Sequence, residues 1–136
     1  MNYRELLDGS ETPEIITFTE DTGVTSKGAY FPDLNLILVN DKYTDIEHEN
    51  IIIHELGHKK CKHDHNSISA PSVKIKQEAQ ADQFMIDTRA KEWLEEENNN
   101  ESDTINIYDF LSYFHFSKKY YEMAEKSFKK LLQNGL

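Results

Sequence analysis

The stretch Ile51-Ile52-Ile53-His54-Glu55-Leu56-Gly57-His58 constrains this chain more than any other. Consecutive isoleucines cover several faces of a helix, so the helix that carries them belongs in the interior rather than on a surface. Just upstream, Thr44-Asp45-Ile46-Glu47 is a capping-box pattern and predicts a helix running from there to about Cys61. Residues four apart on a helix face the same way, so His54 and His58 can place two imidazole nitrogens on one metal ion. Glu55 lies one residue round, where it reaches a water on that metal rather than the metal itself. That is the mechanical content of His-Glu-x-x-His, and it points to zinc-dependent hydrolysis. Gly57 costs a helix interior roughly 1 kcal/mol, which makes sense where a neighbour packs closely.

A hydrolytic zinc site takes a third protein ligand and leaves the fourth position to water. Glu78 is the best candidate, on a second helix expected over about Val73 to Glu97. One turn later comes Asp82, within an apolar series of Ile75, Ala79, Ile86, Ala90 and Trp93 at helical spacing. A carboxylate facing inward needs a partner, and the free N–H of a ligating histidine is a natural one. Ala81 leaves room for the two helices to approach. Two histidines and one glutamate from two helices make a gluzincin-like site. The competing reading is chance polarity on an exposed helix, and the isoleucines and Gly57 argue against it. His63 and His65 are open as alternative ligands, substrate-side groups or loop polarity. Cys61 reads as a buried, reduced thiol. His48 and His115 read as structural or exposed.

The remaining elements frame this pair of helices. Met1 to Asp8 reads as a short helix stopped by Gly9, and Glu14 to Thr19 as a strand. Gly28-Ala29-Tyr30, a turn at Pro32-Asp33, and Leu34 to Val39 read as a hairpin whose second arm is interior. Lys62 to Ser72 is a polar loop, and Glu95 to Asp103 a solvated linker. An aromatic helix over Ile107 to Phe116 and an amphipathic one over Lys118 to Gln133 follow. They faintly suggest one tetratricopeptide unit, which cannot form a solenoid alone. The expected organisation is a domain over 1–104 and a helical extension over 105–136 packed on it. The fold class is α+β, with a small antiparallel or mixed sheet packed on the central histidine-bearing helix and a second ligand-bearing helix.

The 136 residues suit a single domain, and the formal net charge of −10 disfavours direct nucleic-acid binding. A basic protein partner is easier to accommodate. The single cysteine, Cys61, permits no internal disulfide and fits a reducing cytoplasm. No secretory signal or membrane-spanning run is expected.

Three features together resemble the ImmA/IrrE family of short zinc metallopeptidases. They are a strand ending in asparagine, Leu36-Ile37-Leu38-Val39-Asn40; the motif His54 to His58 with His63 five residues on; and Glu78-x-x-Ala81-Asp82-x-Phe84. They cover roughly residues 28 to 90, and Met85 stands where family members often have a small residue. The resemblance implies a zincin-like fold, Zn²⁺ held by His54, His58 and Glu78, and a bacterial cytoplasmic setting. It also implies cleavage of a helix-turn-helix repressor of a phage or other mobile element. It does not extend over residues 105 to 136.

On this reading Glu55 is the general base, and Tyr30 and His63 are candidates for a second oxyanion donor. An extended substrate is expected to add along the Leu34 to Val39 edge, provided that edge is open. The rival readings are a regulatory protein that acts by contact, with structural or vestigial zinc, and a toxin–antitoxin component using the C-terminal helices.

Overall fold

A computed structural model describes residues 2–19, 27–43, 45–62, 70–96 and 105–134. The expected Thr44 cap, His63, His65 and most of the acidic linker lie outside the described residues. The chain is α+β, and its elements divide into two compact units, Met1–Asp82 and Gln83–Leu136. The division falls within one long helix.

The first unit opens with α1 (Tyr3–Leu6), whose N-cap Asn2 accepts the Arg4 N–H through its side chain at 3.1 Å. Gly9 follows with φ +83, a conformation that only glycine adopts without strain. Strand β1 is Glu14–Phe18, β2 is Gly28–Phe31 and β3 is Leu36–Asn40. Among the described residues the sheet order is β1-β3-β2, with β1 parallel and β2 antiparallel to β3. A 3-10 turn over Pro32–Leu34 joins β2 to β3 and ends on Asn35 in the left-handed region. Asparagine tolerates that conformation because its short side chain can bond locally.

Helix α2 (Asp45–Lys60) lies on β2 and β3. Ile51, Ile52, Ile53 and Leu56 are all buried, as are Ile37, Val39 and Tyr30 of the sheet. Alternation explains the strand contribution: Ile37 pairs with Tyr30 on β2 and Ile15 on β1, so one face of the sheet gathers these side chains. Asn40 is fully buried at the end of β3. Its Oδ1 accepts the Lys42 N–H at 2.9 Å, so its burial leaves that polar atom satisfied.

Three expectations need correction. The Leu34 to Val39 segment is not an open edge: β3 is central, paired on both sides, because β1 adds in parallel across a long connection. Cys61 is exposed rather than buried, because α2 ends at Lys60 and the thiol lies in the following turn. In α3 (Pro71–Glu95), Ile75 is 71% exposed and Ala79 is exposed, so the predicted stripe does not begin where periodicity placed it. The buried series is Ala81, Met85, Ile86, Ala90 and Leu94.

The second unit comprises α3 from Gln83 onward, α4 (Ile107–Tyr113) and α5 (Tyr121–Asn134), with a 3-10 turn at Lys118–Tyr120. Its core is aromatic. Trp93 meets Phe110, Tyr113 and Phe114 edge-on at centroid distances of 6.0, 5.4 and 6.3 Å, and Phe110 meets Phe128 at 5.0 Å. Arg89 is buried among them, paired with Glu92 at 2.8 Å and lying 4.7 Å from the centre of the Phe114 ring. A buried guanidinium needs such a partner. No helix of the described residues is long and apolar enough to cross a membrane.

Candidate metal centre

Two adjacent turns of α2 and one turn of α3 supply the centre. His54 and His58 stack edge to face with ring centroids 4.9 Å apart, as residues four apart on one helix must. Glu78 reaches both rings: Oε2 lies 2.9 Å from Nε2 of His54, and Oε1 lies 3.1 Å from Nε2 of His58. Asp82, one helical turn after Glu78, puts Oδ1 2.9 Å from Nδ1 of His54. Each of the site residues singled out from the sequence, His54, Glu55, His58, Glu78 and Asp82, therefore lies in this one cluster.

The environments differ sharply. The His58 side chain is 1% exposed and that of Glu78 is 55% exposed. Glu55 is buried beside them. Burial opposes protonation of His54, but hydrogen bonds to Asp82 and Glu78, with the nearby Glu55 charge, outweigh it and raise the ring to about 10. The same hydrogen bonds from His54 and His58 hold the Glu78 carboxyl well below its ordinary range. Glu55 moves the other way: burial raises its carboxyl, against the opposing charges of His54 and His58. Two carboxylates a short distance apart are thus pushed in opposite directions by their surroundings.

His54, His58 and Glu78 each offer one ligand atom, and these atoms all lie within 4.8 Å of one another. Two imidazole nitrogens and one carboxylate oxygen are a donor set that suits Zn²⁺, whose tetrahedral ligand atoms stand roughly 3.4 Å apart. The residues present therefore fit the ion. Asp82 on the far nitrogen of His54 is the kind of contact that fixes the orientation of a ligating ring.

A cleft of about 670 Å³ opens over the cluster, walled by β2 and the Pro32–Leu34 turn and floored by Glu55, His58 and Glu78. Tyr30 lines it, its phenol protonated at neutral pH as any phenol is and raised further by burial. Gly28 lets β2 lie close on α2. A Cβ there would sit 2.7 Å from Cγ2 of Ile51, 2.9 Å from the Leu38 carbonyl oxygen and 3.7 Å from Cγ of Glu55. Sequence reasoning used Gly28 only as a strand start, and no local pattern announces such an approach. It also missed Lys59, whose ammonium donates to Asn35 at 2.7 Å from the last turn of α2. The turn-ending asparagine was the available signal there.

Comparison of the chain with protein-family models, with curated proteins and with solved structures finds no match.

Proposed function

We propose that this protein is a zinc-dependent endopeptidase with a zincin-like fold. The observation that carries the reading is the convergence of ligand atoms of His54, His58 and Glu78 within 4.8 Å of one another, beside a cleft lined by His58, Glu78 and the buried Glu55. Bound there, Zn²⁺ would polarise a carbonyl and bring the pKa of a coordinated water to around 7.

The protein's own groups supply the rest. The Glu55 carboxylate takes a proton from the attacking water and passes it to the leaving amide nitrogen. Its burial-raised pKa brings it nearer the working pH, where proton transfer in both directions is efficient. Asp82 holds Nδ1 of His54 and so directs Nε2 toward the ligand position. Tyr30, kept protonated, is a candidate donor to the developing oxyanion. An extended substrate would add along the outer edge of β2, which pairs with no other strand among the described residues and walls the cleft.

The narrower role, cleavage of a helix-turn-helix repressor of a mobile element in a bacterial cytoplasm, rests on the resemblance over residues 28 to 90. Glu55→Gln tests the chemistry. It should retain about one zinc per chain and lose peptide hydrolysis by at least about a hundredfold. Retained hydrolysis would remove Glu55 from the mechanism and favour the rival reading of a protein that acts by contact.

A further inference from the structure

The cleft has a wall built from a turn, and a turn must be held if it is to select anything. Three bonds converge on Asn35, the residue that ends that turn. The Asn35 N–H donates to the Pro32 carbonyl at 3.2 Å and closes the 3-10 turn. Its own carbonyl accepts the Glu14 N–H at 3.0 Å and ties the turn to β1. Its side-chain oxygen accepts from the Lys59 ammonium at 2.7 Å. Lys59 directly follows His58, so this last bond runs from the helix of the histidine pair to the end of the turn that walls the cleft.

We infer that Lys59 and Asn35 form a positioning pair that holds the Phe31–Leu34 rim at a set distance from the metal-site helix, and so governs substrate binding rather than the chemical step. This rests on the hydrolase reading above. The backbone bonds of Asn35 fix the turn within the sheet, and the Lys59 bond fixes the turn against α2. A charged donor to an amide oxygen, half-buried, is stronger than a neutral pair. The rim it holds presents Phe31 and Leu34, 41% and 70% exposed, to whatever enters the cleft. Neither Lys59 nor Asn35 contributes to the metal-ligand set or holds the attacking water. Its effect is transmitted through the placement of the rim.

The test uses the full-length, zinc-loaded protein, a mixed-sequence peptide library read by mass spectrometry, and one cleaved library peptide as reporter. Lys59→Met and Asn35→Gly should each raise KM on the order of tenfold with kcat and zinc content little changed. Asn35→Gly is compatible with the left-handed backbone and removes the acceptor with the rest of the side chain, and Lys59→Met removes the same bond without touching the turn's backbone. Asn35→Asp keeps both backbone and acceptor, and should restore wild-type KM. Amide hydrogen exchange over Phe31–Leu36 should quicken in Lys59→Met and Asn35→Gly but not in Asn35→Asp. Unchanged exchange in Lys59→Met, or a loss confined to kcat, would overturn the inference. If wild type cleaves nothing in the library, the hydrolase reading fails, and the exchange measurement still decides whether the pair holds the rim.

Discussion

Oδ1 of Asp82 stands 2.9 Å from Nδ1 of His54, and this contact leaves Nε2 of the same ring facing Glu78. The two carboxylates are one helical turn apart on α3, so in the proposed zinc site a single helix would both supply a ligand and orient another. An imidazole held at one nitrogen loses rotational freedom before the ion arrives. Asp82→Ala is therefore expected to weaken zinc binding by about 10- to 100-fold, with Glu78→Ala weakening it further. Competition with a chromophoric chelator measures both, and equal affinities for wild type and Asp82→Ala would count against the orienting role.

The metal-free protein should show a pH dependence set by the same cluster. The His54 ring is raised from 6.5 to about 10, so the stability it contributes is complete below about pH 6.5 and is lost as pH rises through 10. The Glu78 carboxyl is lowered from 4.5, so its contribution is complete above about pH 4.5 and is lost as pH falls through its folded value. Urea midpoints measured with chelator should thus decline on the alkaline side between about pH 6.5 and 10. His54→Gln should flatten that decline.

Glu55 carries a cost in the folded state, because burial raises its carboxyl above the ordinary value. Burial disfavours the ionised form, and the charges of His54 and His58 offset this only in part. Glu55→Gln removes that charge at nearly constant shape. The metal-free variant should melt at or above the wild-type temperature, and calorimetry in the presence of chelator would show it. A clear drop would mean the ionised carboxylate is held by contacts stronger than its burial cost.

Gly28→Ala places a methyl group 2.7 Å from Ile51 and 2.9 Å from a backbone oxygen. Both neighbours are packed, so the strand or the helix must shift. A loss of about 1–3 kcal/mol is expected by chemical denaturation, and zinc affinity should stay within a few-fold of wild type.

In the second unit, Phe110 is fully buried and meets Trp93, Phe114, Phe116 and Phe128. Phe110→Ala should cost about 3–5 kcal/mol. Truncation after residue 104 removes Phe114, against which Arg89 lies, and the aromatic partners of Trp93 within this unit, while the Glu92 partner of Arg89 stays. The truncated chain should therefore lose helicity in the second half of α3 as read by hydrogen exchange, so it is not a clean test of the C-terminal helices in partner choice.

What the sequence determined by itself is local. Four-residue spacing on a helix is enough to put His54 and His58 on one face, and three consecutive isoleucines are enough to make that helix central. Hairpin chemistry at Pro32-Asp33 placed β2 and β3 within a residue or two of their observed bounds. Glu78 and Asp82 were legible as candidates because a carboxylate one turn from another on a partly apolar helix needs a reason. The tertiary structure decided everything that depends on which surface meets which. Periodicity marked an apolar face on α3 but not which of its turns is covered, so Ile75 was misread while Ala81 and Ile86 were not. Strand order was beyond the sequence, because the parallel pairing of β1 with β3 is a long-range choice; it puts the arm expected to be interior at the centre of the sheet and leaves it no open edge for a substrate. The Lys59–Asn35 bond joins residues 24 apart, and only folding brings an ammonium on a helix to a turn on a sheet. The same is true of Glu78: sequence could nominate the carboxylate, but its 2.9 and 3.1 Å approach to two rings is a property of the packed chain.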